Sequence, residues 1–402
     1  MKNNRTFLEK LLDGAEVEWK TIAEISNKVS SGGTPTTSNN NYYENGNIPW
    51  LRTQEVDFKE IWNTDLKITE EGLNNSSAKW IPKNCVIVAM YGATVGKIAI
   101  NKIPLTTNQA CANIEVNPEI AHYRYVFHYL MSKYEYIKSL GSGSQTNINS
   151  QIVKKIRIPI PPLSVQTEIV RILDALTALT SELTSELTLR RKQYEYYREK
   201  LLSEEELIKL GATAENLGDV TSISSGGTPS TKEPAYWVGG NIPWIKSESC
   251  KNKLIDEIKH HITEVGLQNS NAKLLSPNTT LMAMVGATIF KTAFLPFEAT
   301  TNQNIAAIKS KNELSITDKF IFYYLTNMYD FFISKLSGYN MVNLSQIKNI
   351  KILLPPLEEQ QRIVAILDKF EALTNSITEG LPLAIEQSQK RYEYYRELLL
   401  SF

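Results

Sequence analysis

Apolar residues recur at helical spacing in two stretches of the chain. In the first stretch they lie three or four positions apart, at Val165, Ile169, Ile172, Leu176, Leu179, Leu183 and Leu187. This pattern is typical of a helix that packs along a second helix. Because residues 164–202 contain neither Gly nor Pro, we predict one unbroken helix, roughly 58 Å long.

The second stretch has the same pattern 194 residues later, at Ile363, Ile366, Phe370, Leu373, Ile377 and Leu381. Both stretches end in a YEYYRE run, but the two runs are 198 residues apart. Gly380 and Pro382 fall inside the second stretch. Since both residue types disfavour a helix interior, we predict a kink or short break near residue 380.

The region before each helical stretch repeats with the offset of 194 residues. The motif SSGGTP at 30–35 returns at 224–229, NIPW at 47–50 returns at 241–244, and TTNQ at 106–109 returns at 300–303. Likewise, GATVGKIAI becomes GATIFKTAF, and IPPL before the first helix becomes LPPL before the second. A constant offset across so many motifs indicates duplication of one complete fold.

Within each copy, short apolar runs lie between turns rich in Gly, Pro and Asn. We predict strands at residues 85–90, 97–100 and 113–116, and a helix at 123–140 with a counterpart at 319–336. The predicted fold class is α+β, a mixed α/β architecture built from an internal repeat. The predicted segments are a globular domain with the N-terminal segment, a long helix, a second globular domain and a second long helix, at 1–163, 164–210, 211–357 and 358–402.

The chain has a net charge of zero, but its basic and acidic residues are unevenly distributed between segments. Residues 26–157 contain 14 basic against 10 acidic residues, and residues 218–351 contain 13 against 10. The helical stretches carry the opposite excess. This distribution favours globular faces that meet phosphates and helices that meet another protein, although chance also explains so small an excess.

Motifs for catalysis and nucleotide binding are missing from the sequence. It has no Walker A loop, no GxGxxG motif at a helix start, and no acidic or amide residue before the paired prolines, as an aminomethyltransferase would need. GSGS at 141–144 is a weak candidate for a phosphate cradle, because its counterpart reads LSGY. The three cysteines show no metal-ligand spacing. No apolar run reaches the ~18 residues that span a bilayer, so we expect a cytoplasmic protein.

On these motifs the chain resembles the specificity subunit of Type I restriction-modification systems, over nearly its full length. The resemblance rests on the duplicated SSGGTP, NIPW, GATxxxK and TTNQ motifs, the IPPL and LPPL entries to the helices, and the TSEL tetrapeptides at 180–183 and 184–187. It implies two target recognition domains separated by two long antiparallel helices, which form a coiled-coil spacer. It also implies a subunit without catalytic activity, in which each domain reads one half of a bipartite site in double-stranded DNA.

The resemblance places the cofactors on other chains. Two methyltransferase subunits would bind S-adenosylmethionine and methylate adenine, and restriction subunits would join through the complex and use ATP and Mg²⁺. In such relatives the number of tetrapeptides alters the unread gap between the half-sites. We expect this chain itself to bind no cofactor, no metal ion and no membrane.

We predict DNA contacts at polar residues that recur in both copies. Lys97 and Lys291 follow Gly-rich turns and are candidates for phosphate contact. A second set carries groups that read base edges in the major groove: Arg52, Thr53 and Gln54, with Lys246, Ser247 and Glu248. A third set offers hydroxyls and unhindered N–H groups: Ser31, Gly32 and Thr34, with Ser225, Gly226 and Thr228. Solvated lysines, polar strand ends and purely structural turns are the alternatives.

Two other interpretations stay open at the level of sequence. A Type IIB-like system would keep the DNA reading and change the partners. A coiled-coil scaffold would bind protein, rather than DNA, through its duplicated domains. If the DNA interpretation holds, a pseudo-dyad between similar domains predicts two similar half-sites in inverted orientation around an unread spacer.

Overall fold

A computed structural model describes residues 7–141, 147–335, 341–376 and 379–402. Apart from Gly141, the GSGS candidate and its counterpart lie outside the described residues. The chain divides into two compact units. The first unit is Met1–Leu183 with Ile385–Phe402, and the second is Thr184–Ala384.

The first unit contains mixed helices and strands, followed by the beginning of a long helix. In chain order they are α1 (Phe7–Leu12), β1 (Glu18–Thr21), β2 (Ser26–Ser31), β3 (Ile48–Leu51), β4 (Glu60–Ile61), β5 (Leu66–Ile68), α2 (Glu70–Asn74), β6 (Trp80–Ile81), β7 (Val86–Ala89), β8 (Ile98–Asn101), β9 (Leu105–Thr107), β10 (Cys111–Val116), α3 (Tyr123–Ser132), α4 (Tyr134–Ser139), α5 (Ser150–Lys155), β11 (Arg157–Ile160) and α6 (Leu163–Leu201).

The second unit takes the end of α6 and repeats the series. Its elements are α7 (Glu204–Lys209), β12 (Thr213–Asn216), α8 (Leu217–Val220), β13 (Thr221–Ser225), β14 (Ile242–Ile245), β15 (Lys253–Leu254), β16 (His261–Ile262), α9 (Glu264–Gln268), β17 (Thr279–Ala283), β18 (Thr292–Leu295), β19 (Thr300–Thr301), β20 (Ile305–Ser310), α10 (Asp318–Asn327), α11 (Tyr329–Lys335), α12 (Leu344–Lys348), β21 (Lys351–Leu354), α13 (Leu357–Asn375) and the start of α14 (Gly380–Leu400). The rest of α14 belongs to the first unit.

In the described part of each unit, a five-stranded sheet carries the core. The strand order is β2-β10-β7-β8-β4 in the first unit and β13-β20-β17-β18-β15 in the second. Both faces of the central strands are buried, which explains their continuous apolar runs. In β7, Val86 and Val88 pack with α3 and α6, whereas Ile87 and Ala89 pack against a second, smaller sheet.

The smaller sheet places two parallel strands side by side. In the first unit the order is β5-β3-β9-β6, and β3 pairs parallel with β9. In the second unit the order is β16-β14-β19, with β14 parallel to β19. A single bridge between Leu275 and Ala299 stands where β6 pairs with β9 in the first unit.

The predicted long helix is confirmed, because α6 runs without interruption from Leu163 to Leu201. The predicted break is confirmed as well, since α13 ends at Asn375 and α14 begins at Gly380. Gly380 has a φ of 80° and lies so close to α13 that a Cβ would be 2.5 Å from the Ala372 carbonyl oxygen. Only glycine fits this position without strain.

Each unit packs its part of α6 against an antiparallel helix. In the second unit, Arg191 Nη2 lies 3.4 Å from the Thr374 carbonyl oxygen, and the Tyr197 ring stacks on Phe370. In the first unit, the Thr180 hydroxyl lies 2.8 Å from that of Ser388. These contacts lie largely outside the apolar seam predicted from the sequence: Phe370 takes part in them, whereas Ile169 is buried in the core of the first unit and Leu179 is exposed.

The predicted helices at 123–140 and 319–336 are each interrupted, which corrects that prediction. Lys133 separates α3 from α4, and Met328 separates α10 from α11. In both units the first of these helices is the more buried, because it lies between the large sheet and a long helix. No helix in the described ranges is both long and apolar enough to cross a membrane.

Candidate nucleic-acid interface

The parallel pairing of β3 with β9 brings four loops to one edge of the first unit. Parallel strands end on the same side of a sheet, so the residues after Leu51 and Thr107 are neighbours: the Asn108 N–H donates to the Leu51 carbonyl at 2.9 Å. We call segments 31–35, 52–57, 91–97 and 108–110 the first rim. Their counterparts at 225–229, 246–251, 285–291 and 302–304 form the second rim.

Hydrogen bonds between the loops hold the first rim together. The Gly33 N–H donates to the Thr107 carbonyl at 2.9 Å, and the Thr94 hydroxyl donates to the Thr53 carbonyl at 2.8 Å. The Thr34 hydroxyl bonds the Gln109 amide oxygen. The recurring motifs therefore meet in space, although they are far apart in the sequence.

The second rim has the same bonds at equivalent positions. The Gly227 N–H donates to the Thr301 carbonyl at 2.9 Å, and the Thr288 hydroxyl donates to the Ser247 carbonyl at 3.1 Å. The Thr228 hydroxyl donates to Gln303 Oε1 at 2.6 Å. Duplication has thus preserved the backbone frame of the rim as well as the core.

The glycines in the third set of candidates are fixed by close packing. A Cβ on Gly32 would lie 1.8 Å from the Thr107 carbonyl oxygen, and one on Gly226 would lie 2.0 Å from that of Thr301. Both glycines are buried, whereas Ser31, Thr34 and Thr228 are exposed and Ser225 is half-buried. The hydroxyls of this set are available to a ligand, and the two glycines provide the frame.

The candidate base readers of the first rim contact one another. Arg52 is half-buried, and its Nε lies 3.8 Å from Glu55 Oε1. With the Gln54 amide turned so that its oxygen faces Arg52, the oxygen lies 2.7 Å from Nη2. Gln54 is exposed and Thr53 is half-buried. These contacts hold the guanidinium at the rim, where an outside acceptor can reach it.

At the second rim the corresponding side chains differ in length and charge. Lys246 lies over the ring of buried Trp244, with Nζ 5.7 Å from the ring centroid. Ser247 is half-buried and Glu248 is exposed. The second rim therefore offers an acidic acceptor where the first offers an amide.

The two candidate phosphate-binding lysines have different surroundings. Lys97 Nζ forms an ion pair with Asp57 Oδ1 at 2.7 Å and lies 5.8 Å from the Phe58 ring centroid. Lys291 lies over the Tyr329 ring at 5.9 Å, and no acidic partner is found for it among the described residues. Sequence reasoning missed Asp57, because 40 residues separate it from Lys97; its counterpart is Lys251.

Sequence reasoning also missed Gln109 and Gln303, although both belong to the recurring TTNQ motif. Each accepts a hydrogen bond from a rim threonine. The recurrence of the motif was the signal that could have identified them. Amide groups at such positions can both donate to and accept from a base edge.

The buried thiols offer no nucleophile at the rims. Burial raises the pKa of Cys85 and of Cys250 to about 12 in each case. Burial, with a smaller contribution from Glu55, also raises the pKa of Cys111. These thiols are therefore protonated at neutral pH. What the rims present is a set of hydrogen-bond donors, acceptors and cations.

Comparison with known proteins points to one family. A family model described as the Type I restriction modification DNA specificity domain matches the chain twice, at residues 15–189 and 213–387. The Haemophilus influenzae protein S.HindORF215P, assigned as a type I restriction enzyme specificity subunit, is 39% identical over 100% of both chains. The specificity subunit of the Escherichia coli enzymes EcoR124I and EcoR124II is 34% identical over 99% of this chain and 97% of its own.

Solved structures share the fold. The S subunit of a Type I restriction-modification system from M. genitalium has a TM-score of 0.60 at 15% identity, covering 96% of this chain and 97% of the other. A chain from a structural study of complex assembly in the type I R-M system has a TM-score of 0.59 at 20% identity, covering 95% and 97%. The mixed α/β fold with two repeats is thereby confirmed.

Proposed function

Because this chain belongs to the Type I restriction-modification DNA specificity family, we propose that each rim reads one half of a bipartite site in double-stranded DNA. One observation carries the proposal: the two rims have the same hydrogen-bonded frame but different polar side chains. A frame that is kept while its exposed groups change is suited to reading two related sequences. Arg52 would donate to guanine and Gln54 would bond adenine, whereas Glu248 would accept from the cytosine amine.

The long helices supply the distance between the half-sites in this proposal. At roughly 58 Å, α6 exceeds one turn of B-DNA, which is about 34 to 36 Å. Two rims held by such helices would contact separated parts of the duplex and leave the bases between them unread. Similar rims related by a pseudo-dyad would read similar half-sites in inverted orientation.

Catalysis is assigned to other subunits in this proposal. Two methyltransferase subunits would bind S-adenosylmethionine, and restriction subunits, with ATP and Mg²⁺, would join through the complex in the cytoplasm. The lack of catalytic and nucleotide-binding motifs in the sequence supports this division. The assignment of the E. coli and H. influenzae relatives as specificity subunits supports it as well.

Removing one tetrapeptide from α6 tests the spacer. Deletion of Thr184 to Leu187 removes about 6 Å of helix, close to the rise of two base pairs. Methylation mapping should then find both half-sites unchanged and the unread gap shorter. Insertion of a third TSEL tetrapeptide is the matched control and should lengthen the gap. Altered half-sites at constant spacing would contradict the proposal.

A further inference from the structure

In the first unit, the carboxylate of Asp174 on the long helix α6 binds two side chains of α3, the buried helix of the globular domain. These side chains belong to Arg124 and His128, which lie one turn apart. Asp174 Oδ1 accepts from Arg124 Nη2 and from His128 Nε2, each at 2.8 Å. Arg124 also pairs with Glu60 on the edge strand β4. One acidic group thus connects the long helix to the globular domain.

The second unit forms the same arrangement with different chemistry. Asp368 lies on α13, 194 residues after Asp174. Its Oδ1 accepts from Lys319 Nζ at 2.7 Å and from the Tyr323 hydroxyl at 2.6 Å. Lys319 and Tyr323 are again one turn apart, on α10. We call Asp174 and Asp368, each with its two partners, the carboxylate pins.

A buried glutamine makes a second polar contact in each unit, eight residues before the carboxylate. Gln166 and Gln360 are fully buried. Gln166 Oε1 accepts from the His122 N–H at 2.8 Å, and Gln360 Oε1 accepts from the Thr317 N–H at 3.0 Å. His122 and Thr317 are the N-cap residues of α3 and α10. Each domain helix is therefore held at its start and one to two turns further along.

Only apolar side chains fill the space between the two polar contacts on the long helix. Ile169 and Leu173 are fully buried between Gln166 and Asp174, and Ile363 and Leu367 occupy the same places in the second unit. Apolar burial is not directional. It stabilises the contact but selects poorly between neighbouring registers, whereas a polar contact specifies a single register.

We propose that Asp174 and Asp368 are positioning residues that set the register of each reading domain on its long helix and thereby sharpen the selectivity for spacer length. The proposal rests on the proposed function, in which the helices set the distance between half-sites. A domain that rotates or slides on its helix carries its rim with it. If a carboxylate pin were lost, one complex would then accept spacers of several lengths.

The test uses the full chain assembled with its methyltransferase subunits and S-adenosylmethionine. The substrates are duplexes with constant half-sites and spacers changed one base pair at a time around the natural length. Loss of a hydrogen-bonded charge in Asp174→Asn, Asp368→Asn or the double variant should raise the methylation rate at neighbouring spacers, relative to the natural one, about tenfold. The half-site bases should not change. A general loss of stability lowers every rate equally and leaves this ratio unmoved.

Two matched variants come from the chain itself. The double substitution R124K/H128Y gives the first pin the chemistry of the second and should keep the sharp spacer profile. Ile169→Val removes a buried methylene between the polar contacts without touching either, and should also keep the profile. Should Asp174→Asn not fold, Tyr323→Phe removes one donor from Asp368 at nearly constant volume and should broaden the profile.

The positioning role would be overturned if Asp174→Asn, Asp368→Asn and Tyr323→Phe all kept the dependence of methylation rate on spacer length that the unmodified chain shows. Loss of half-site recognition in these variants, at unchanged melting temperature, would overturn it too. Failure of the proposed function looks different, because the unmodified complex would then show no preferred spacer at all.

Discussion

The two rims share a backbone frame but differ in the charges they carry. Both frames close with a buried glycine against a threonine carbonyl, at Gly32 and Gly226. The charged groups diverge, because Lys97 has Asp57 at 2.7 Å whereas the second rim has Lys251 at the position of Asp57. The glycines at the close backbone contacts are the same in both copies, whereas the side chains that face outwards differ between the copies. A common frame can therefore serve two different sequences.

The largest predicted effect comes from the shared frame. Gly32→Ala and Gly226→Ala each introduce a Cβ that overlaps sterically with a carbonyl oxygen. Either substitution should therefore destabilise its unit by about 3 kcal/mol. Urea unfolding measures the loss, and Ser31→Ala and Ser225→Ala are the adjacent controls, with little effect expected. If one glycine tolerates alanine and the other does not, the two frames are not equivalent.

A smaller effect should separate the two lysines. Lys291→Ala should weaken binding of the complex to DNA and lower the slope of log Kd against log salt by about one, since one phosphate contact is lost. Lys97→Ala should change the affinity and the salt slope less, because Asp57 already offsets the charge of Lys97. Fluorescence anisotropy over a range of salt concentrations measures the slope.

Exchanging the neighbouring charges sharpens this comparison. Lys251→Asp should give Lys291 an acidic partner and bring its behaviour close to that of Lys97. Asp57→Lys should do the reverse at the first rim. Equal salt slopes for Lys97→Ala and Lys291→Ala in the otherwise unmodified chain would show that the ion pair has no bearing on DNA binding.

The smallest effect concerns the response of the long-helix contacts to acid. Burial raises the pKa of Asp174, but hydrogen bonds and charges from His128 and Arg124 outweigh it, so the pKa lies below its ordinary value of 3.8. A lowered pKa stabilises the folded state above the unfolded value, and this contribution is lost as pH falls through the folded value. The difference in unfolding free energy between the unmodified chain and Asp174→Asn should therefore shrink below about pH 4.

Glu371 in the second unit should respond in the opposite sense. Burial raises the pKa of its carboxyl above 4.5, so the charged form weakens the folded state at neutral pH and protonation relieves the loss. Glu371→Gln should be more stable than the unmodified chain at neutral pH, and the difference should shrink in acid. Unfolding free energies that differ by a constant amount at every pH would contradict both assignments.

Much of the fold followed from the sequence. The apolar spacing and the lack of Gly and Pro predicted α6, Gly380 and Pro382 predicted the break near residue 380, and the constant offset predicted the duplicated domain. Those features depend on local pattern, which a single sequence displays directly. The recurrence of TTNQ and GATxxxK also marked loops that the structure brings to one rim.

The contacts between the elements did not follow from the sequence. The offset is 194 residues in every quoted motif of the globular domains, but it is 195 between α3 and α10, because the second copy has one additional residue between β20 and α10. At an offset of 194, Arg124 aligns with an aspartate; in the structure its equivalent is Lys319. For the same reason His128 corresponds to Tyr323.

Methylome sequencing of a strain that expresses this chain with its methyltransferase subunits tests the central claim most directly. The expected result is one bipartite site in which two similar half-sites, in inverted orientation, flank an unread spacer of constant length. A contiguous site would contradict the conclusion that duplicated rims on paired helices read the DNA, and two half-sites with no sequence relationship would contradict the expected similarity between what the two rims read.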